Sequence, residues 1–511
     1  TCALPIFLYL IWEIPGKRDP DEYGRVTNKM NKIKIINFKI AIKIILICLI
    51  SIKNLKADFF KDISYLIENN TPRLSYGVAV TDLDNDDKFD FIVTGYRYSN
   101  LALSYKKNKL RNIINQNIFT DQNRQAIGVA ACDVDFDGKE EIYILNTDSF
   151  SGKKIYADRL LDSNENTYID LFEDNINKDV LNVTAGRSVA CVDRMGNGKY
   201  SVYVSNYGGP SKFYTLNGKK IIDEAPKYNL DKITGGRAIV AGHILSERMD
   251  IFASNERGPN FLYKNINGKF VNVAKRYGVE DKNQNGRGTV LSDLLYKGKL
   301  GIISGNWQGY HRLYILRKNK FLDLMDLSFN RPSKVRTIIA ADFDNDGYDE
   351  IFINNIGQPN RLFKIKENGL LEKIVLKNAA LSNGFGTGAA VADIDKDGIL
   401  ELLVSNGESF KQPLNLFKAN IKKNFSYLRI KPVTRYNAPA RGSTVTLKSN
   451  LRTHAKTIDA GSGYLCQMEP VAHFGIRKGE KDLEILIKWT DGQTQSFKIK
   501  ELNKEFIVKK E

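Results

Sequence analysis

The chain has 511 residues, 42% of them hydrophobic, which is enough to build a core and excludes general disorder. Its formal charge is +17, from 76 basic and 59 acidic residues, and 39 Gly with 13 Pro imply many turns. No arginine-rich tract or aromatic–basic motif accompanies the charge, so no nucleic-acid partner is expected. A solvated lysine surface and a polyanion-binding surface are the two readings of the excess.

Residues 1–29 carry an apolar run and then a charged stretch, and are read as a non-native or mis-called upstream segment. Met30 opens a different pattern: Lys32, Lys34 and Lys39, then a short apolar run from Ile40 to Ile52, then Leu55-Lys56-Ala57. This order reads as a secretory signal peptide over 30–57, with the mature chain starting at Asp58. The expected location is therefore secreted, extracellular or periplasmic. An uncleaved signal anchor is the alternative, and the one route to a membrane. Cys132, Cys191 and Cys466 fall in the mature chain. Three is odd and no CxxC occurs, so a disulfide scaffold or zinc site is excluded, and the expectation is three buried small hydrophobes.

From Asp82 onward one short pattern recurs. It opens at Asp82, Asp133, Asp193, Asp293, Asp342 and Asp393, with a worn copy at His243, so consecutive copies stand 49 to 60 residues apart. Before each loop stands a Gly with small apolar residues, as in Gly77-Val78-Ala79-Val80 and Gly388-Ala389-Ala390-Val391. After it comes an apolar strand ending in a polar residue, as in Ile142 to Asn146. A Gly/Asn/Pro turn, a third strand such as Arg361 to Lys364, and a fourth such as Phe270 to Ala274 follow. Four short strands per roughly 50 residues is the make-up of a propeller blade. A lone blade cannot bury both faces, so blades stack and close into a ring. The strand near Phe59 to Ile63 is of the fourth type but precedes the first loop, and is expected to complete the last blade. The fold class is all-β: a seven-bladed β-propeller over 58–422, with a small β-rich C-terminal domain over 423–511. Leu428 to Lys431 and Leu483 to Trp489 alternate in that domain.

Four loops keep acids at positions one, three, five and nine. They are Asp82/Asp84/Asp86/Asp90, Asp133/Asp135/Asp137/Glu141, Asp342/Asp344/Asp346/Glu350 and Asp393/Asp395/Asp397/Glu401. Alternate carboxylates on a tight turn aim their oxygens at one point, which suits a hard cation such as Ca2+. Up to four structural calcium ions are expected, with the carbonyl at position seven (Lys88, Lys139, Tyr348, Ile399) adding a ligand. Position six is Gly in three loops and Asp87 in the first. The alternative is an Asp-rich turn closed by its own hydrogen bonds. The loop at Asp193 has Met195 and Ser201 at two ligand positions and should hold no metal. The copies at His243 and Asp293 have lost nearly all ligands.

These repeats resemble FG-GAP/VCBS-type propeller repeats. The tail is similar to the ASPIC/UnbV, cartilage acidic protein-like family. Its matching residues are Asn437 to Val445, Gly461-Ser462-Gly463-Tyr464-Leu465-Cys466-Gln467, His473-Phe474-Gly475-Ile476 and Ile487 to Gln495. Departures from that family's pattern include Cys466 for Ser and Arg477 for Gly. The resemblance implies an extracellular propeller, and propellers of this type in integrin heads meet partners on one face.

The calcium loops join the first and second strands of each blade. The opposite rim holds the second-to-third-strand turns: Tyr96-Arg97-Tyr98, Tyr207 to Pro210, Glu256 to Pro259, Trp307 to His311 and Gly357 to Pro359. This rim is the expected site for a protein or polysaccharide ligand, or else simply packs on its neighbours. No HExxH, GxSxG or phosphate-loop sequence occurs, and His473 reads as a packed, hydrogen-bonded histidine. The leading function is a secreted binding or adhesion module. A carbohydrate-active enzyme on the same scaffold and a purely structural or assembly module are the alternatives.

Overall fold

The structure is a computed structural model that describes residues 58–164, 167–421 and 425–511. The signal-peptide reading of 30–57 and the upstream segment lie outside the described residues. Asp58–Glu511 forms one compact unit.

Each repeat folds as four antiparallel strands. The first runs Ser75–Thr81, Asp90–Gly95, Leu101–Lys106 and Lys109–Asn112 in consecutive pairing. Among the described residues the sheets resolve into seven such blades. The third and fourth are fused into one eight-stranded sheet, because Tyr207 and Pro210 pair with Gly235 and Ile233. The first strands are small and apolar, as in Gly128-Val129-Ala130-Ala131. Each packs against the first strand of the next blade, and Gly386–Ala392 returns against Ser75–Thr81. This closes the ring.

Phe60–Asp62 supplies the outer strand of the last blade by pairing with Asn415–Ala419, as the sequence suggests. Phe60 is fully buried and meets Phe343 edge-on with ring centroids 5.1 Å apart. Closure joins the first and last blades, so neither is left as an uncovered end of the array.

The expectation of three buried small hydrophobes needs correction. Cys132 and Cys191 form a disulfide between the first strands of the second and third blades, with Cα atoms 6.1 Å apart. The two are 59 residues apart in sequence, against a step of 60 from Asp133 to Asp193, so they stand one position out of register on the first strands of adjacent blades. Cys466 is free and buried, and burial pushes its thiol up to about 11.

The C-terminal strands build two further sheets around their own core of Leu428, Val445, Phe474, Ile487 and Trp489. Residues 458–471 leave these sheets and enter the centre of the ring. Cys191 N–H donates to Ala460 O at 2.7 Å, Thr289 and Gly463 exchange backbone bonds, and Gln467 N–H donates to Val78 O at 2.9 Å. The Gln467 side chain spans Ala131, accepting its N–H at 2.8 Å and donating to its carbonyl at 3.0 Å. The segment is therefore a plug hydrogen-bonded to the first strands of several blades. By sequence alone it reads as part of the small β-rich domain over 423–511.

Candidate functional site

The four full loops share one architecture. The first acid accepts the backbone N–H of position six: Asp82 from Asp87 at 3.0 Å, Asp133 from Gly138 at 3.3 Å, Asp342 from Gly347 at 3.0 Å and Asp393 from Gly398 at 3.0 Å. The ninth acid accepts the N–H of position two through one oxygen, at 2.9, 2.6, 3.0 and 3.0 Å for Asp90, Glu141, Glu350 and Glu401. The fifth acid is held by the N–H of position seven. Position six needs a left-handed backbone: Gly138, Gly347 and Gly398 have φ of 91°, 84° and 80°, and Asp87 adopts 62° in the first loop. That conformation is easy for Gly and strained for Asp.

This framework points carboxylate oxygens at one another. Asp82, Asp84 and Asp86 approach within 4.8 Å, as do Asp133, Asp135 and Glu141; Asp342, Asp344 and Glu350; and Asp393, Asp395 and Glu401. Asp135 and Asp137 form another such group with Asp162, which the sequence reading did not select. Asp90, Asp346 and Asp397 lie outside these triplets, although Asp346 and Asp397 face the cages through lysines described below. Inner oxygens Asp90 Oδ1, Glu141 Oε1 and Asp342 Oδ1 are buried without a hydrogen-bond partner. Buried carboxylates are ordinarily paired, so these oxygens fit a cation.

Burial governs the titration of these acids. It pushes Asp90, Asp133 and Asp342 up to about 7 and Asp393 up to about 6. It holds Glu141, Glu350 and Glu401 well above the carboxylate range, and neighbouring acids add to each shift. A divalent ion would reverse this by favouring the ionised form.

Three loops bring in a lysine. Lys364 stands opposite Glu350, its ammonium 3.1 Å from Glu350, 2.8 Å from Asp344 and 2.5 Å from Asp346. Lys418 stands opposite Glu401 and pairs with Asp395, Asp397 and Glu401 at 2.8, 2.8 and 2.5 Å. Lys106 reaches Asp84 at 2.5 Å and Asp86 at 3.3 Å. In the second loop the place opposite the ninth acid belongs to Asp162, which adds a carboxylate.

The worn copies keep the first acid for another purpose. Asp193 accepts N–H bonds from Gly196, Asn197 and Gly198, and the Thr490 hydroxyl at 2.7 Å. Asp293 accepts from Lys297, Gly298 and Ala455. His243 is buried against Thr444 at 2.9 Å. Backbone and C-terminal donors hold these loops without an ion.

The C-terminal sheets cover this loop face. A methyl on Gly398 would stand 2.0 Å from the Tyr427 ring, and one on Gly347 would stand 2.5 Å from Arg477. Gly475 N–H donates to Asp342 Oδ2 at 2.8 Å, and His473 Nε2 bonds Asn345 at 2.5 Å. Arg477, at the position where the ASPIC/UnbV pattern has Gly, lies on the Tyr348 ring at 3.6 Å and donates to Gly347 O. Arg441 is fully buried, bonding Glu140, Val80 O and Asp459 O. The motif residues of the tail are its docking contacts.

A ring of blades with acidic first-to-second-strand loops is the class this fold and site define. The FG-GAP-like repeat family matches residues 82–144 and 342–404, and the ASPIC and UnbV family matches 433–511. Cartilage acidic protein 1 of Mus musculus is 43% identical over 468 residues, spanning 84% of this chain and 72% of that protein. The Homo sapiens protein of that name is 43% identical over 471 residues, spanning 84% and 71%. The chain belongs to the cartilage acidic protein 1 family. Among solved structures, the BP39L lectin of Burkholderia pseudomallei aligns at 10% identity with a TM-score of 0.45, covering 68% of this chain and 96% of that one.

Proposed function

We propose that this protein is a secreted binding and adhesion module, a calcium-stabilised propeller that meets a protein or polysaccharide through the rim opposite its acidic loops. One observation carries the reading: the C-terminal sheets lie on the acidic loops through Tyr427, His473, Gly475 and Arg477, which leaves the second-to-third-strand turns as the open face. On that side Phe150, Tyr310 and Phe410 are 66%, 58% and 65% exposed. Exposed aromatics beside arginines are the usual anchors of an interface. The sixteen acids of the four full loops hold up to four structural calcium ions. The Cys132–Cys191 disulfide and relatives named for cartilage support an extracellular or periplasmic setting.

The test uses the mature chain from Asp58 in calcium, with retention on an extracellular-matrix preparation as the readout. A Trp307→Ala/Tyr310→Ala variant should lose retention by roughly tenfold or more. Lys500→Ser, in the connection between the last two C-terminal strands, should leave it unchanged, and both variants should melt as wild type. Equal retention by the rim variant overturns the reading.

A further inference from the structure

Every blade carries a β-bulge near the start of its first strand. Strand pairing skips Tyr76, Ile127, Arg187, Arg237, Arg287, Arg336 and Thr387 in turn. A bulge frees a residue from the pleat and re-aims its side chain. In four consecutive blades that residue is arginine, at the end of the channel opposite the acidic loops.

The charges of all four guanidinium groups act on Tyr464, the tip of the plug. Tyr464 and Leu465 have φ of 154° and 66°, conformations that L residues seldom adopt and that persist where the surroundings impose them. The Arg336 guanidinium lies 5.8 Å from the Tyr464 ring centre. Burial would raise the phenol, but the charges of Arg237, Arg336, Arg187 and Arg287 hold it below its ordinary value. Aromatic faces back the arginines. Trp307 lies 5.3 Å from Arg287 and 5.1 Å from Arg336, and Tyr207 lies 5.9 Å from Arg187 and 4.6 Å from Arg237. Phe150 lies 5.2 Å from Arg187.

The charges do not balance. Glu256 serves both Arg237, at 2.8 Å, and Arg287, at 3.1 Å, and Glu408 pairs with Arg336. Among the described residues Arg187 has no carboxylate partner and donates to the carbonyls of Ser149, Phe150 and Gly186. The Nε atoms of Arg187, Arg287 and Arg336 are buried without an acceptor, as is Glu408 Oε2 without a donor. Arg187, Arg237 and Arg287 are 7%, 2% and 6% exposed. Buried cations are almost always paired, and here two carboxylates face four guanidinium groups.

We propose that this axial cup, with Tyr464 as floor and the four arginines as wall, binds the carboxylate of an acidic sugar of the uronate class. Guanidinium forks match a carboxylate bidentately, and the rings of Phe150, Tyr207 and Trp307 offer apolar faces to sugar C–H groups. A peptide added as a strand is disfavoured, because the plug already bonds the free edges at Val129, Cys191 and Thr289. The inference rests on the open-rim reading and names the chemistry of its central ligand.

The experiment titrates the mature, calcium-loaded chain with a glucuronate-terminated disaccharide, its carboxyl-reduced counterpart and a tri-glutamate peptide. Calorimetry and tryptophan fluorescence report binding. Saturable binding of the uronate is expected, weaker by roughly tenfold or more for the reduced sugar and the peptide. Arg187→Gln strands no acid, and Arg287→Gln leaves Glu256 on Arg237. Each should weaken uronate binding by roughly tenfold at unchanged melting temperature, with Arg187→Lys recovering part of it. Absence of saturable uronate binding, equal binding of the reduced sugar, tighter binding of the peptide, or indifference to both Gln variants overturns the proposal. If the uronate fails while rim-dependent matrix retention persists, the open-rim reading stands and the ligand chemistry alone is wrong.

Discussion

Lys364 places its ammonium inside the carboxylate cage of the sixth blade, ion-paired with Asp344, Asp346 and Glu350 at once. An internal cation there offsets the same charges that calcium would neutralise, so the ion must displace it. The second loop has no such competitor and gains Asp162 instead. Calcium should therefore bind the Asp133 loop most tightly. Lys364→Met should raise the affinity of the Asp342 loop by roughly tenfold, about 1.4 kcal/mol. Asp162→Asn should lower that of the Asp133 loop by a similar factor. Calcium titration followed by calorimetry, one variant at a time, checks both. An unchanged isotherm for Lys364→Met would show that the lysine leaves the cage at no expense.

Protonation sets a second expectation. Without an ion, burial raises Asp90, Asp133 and Asp342 to about 7 and Asp393 to about 6. The folded state then holds protons that the unfolded chain releases near pH 4. Such groups stabilise the ion-free fold at low pH, and that stability is lost as pH rises from about 4 to about 7. The buried histidines act in the opposite sense. His243 is lowered to about 4, and His311 and His454 to about 3, chiefly by burial, so stability is lost as pH falls below about 6.5. Bound calcium would remove the carboxylate effect and leave the histidine one. The difference in melting temperature between loaded and metal-stripped protein should be widest at pH 7.5 and narrow toward pH 5.5. Calcium binding near neutrality should also release protons, seen as a heat that varies with the ionisation enthalpy of the buffer. A gap independent of pH would refute this assignment.

The disulfide gives a third. Joining Cys132 to Cys191 closes a loop of about one repeat, which in the chain-entropy account is worth about 4 kcal/mol. The pair lies between the innermost strands of two blades, where replacement alters little volume. A Cys132→Ser/Cys191→Ala variant should lower the denaturation midpoint substantially, and reductant should do the same to wild type. Calcium affinity at the Asp342 loop, on the far side of the ring, should be unmoved.

Much of this architecture is written locally. Acids at alternate positions followed by Gly347 mark a tight turn on which carboxylate oxygens converge. Their repetition marks the blades, and the early position of Phe60 marks the closing strand. What the chain hides is set by neighbours distant in sequence. Lys364 enters a cage only because strand pairing sets it opposite Glu350. Cys132 meets Cys191 only because the first strands of consecutive blades pack side by side. Gln467 and Tyr464 read as part of a small separate domain, yet the ring closes around them. The arginine signal was visible as a residue type recurring at one repeat offset, from Arg187 to Arg336. Only the bulges show that it faces the axis.

Arg441 tests whether the ring and its C-terminal sheets are one energetic unit. Its guanidinium is fully buried and joins Glu140 of the second blade, Val80 O of the first and Asp459 O of the plug's own approach. Arg441→Met keeps the volume of the stem but strands Glu140, itself 4% exposed in its side chain. Breaking a buried pair in this way destabilises by about 3–5 kcal/mol. If the plug is integral to the ring, the variant should unfold in one transition at lower denaturant, with loss of calcium binding in the same step. If the C-terminal sheets merely rest on the propeller, two transitions should separate, the earlier one releasing residues 426–511 and leaving the acidic loops able to bind calcium. Far-UV dichroism and calcium binding followed along the same denaturant series distinguish the outcomes. The hydrogen bonds from the plug to Val78, Ala131, Cys191 and Thr289 favour the single transition, since undocking the sheets would strip the inner strands of partners that no other segment supplies.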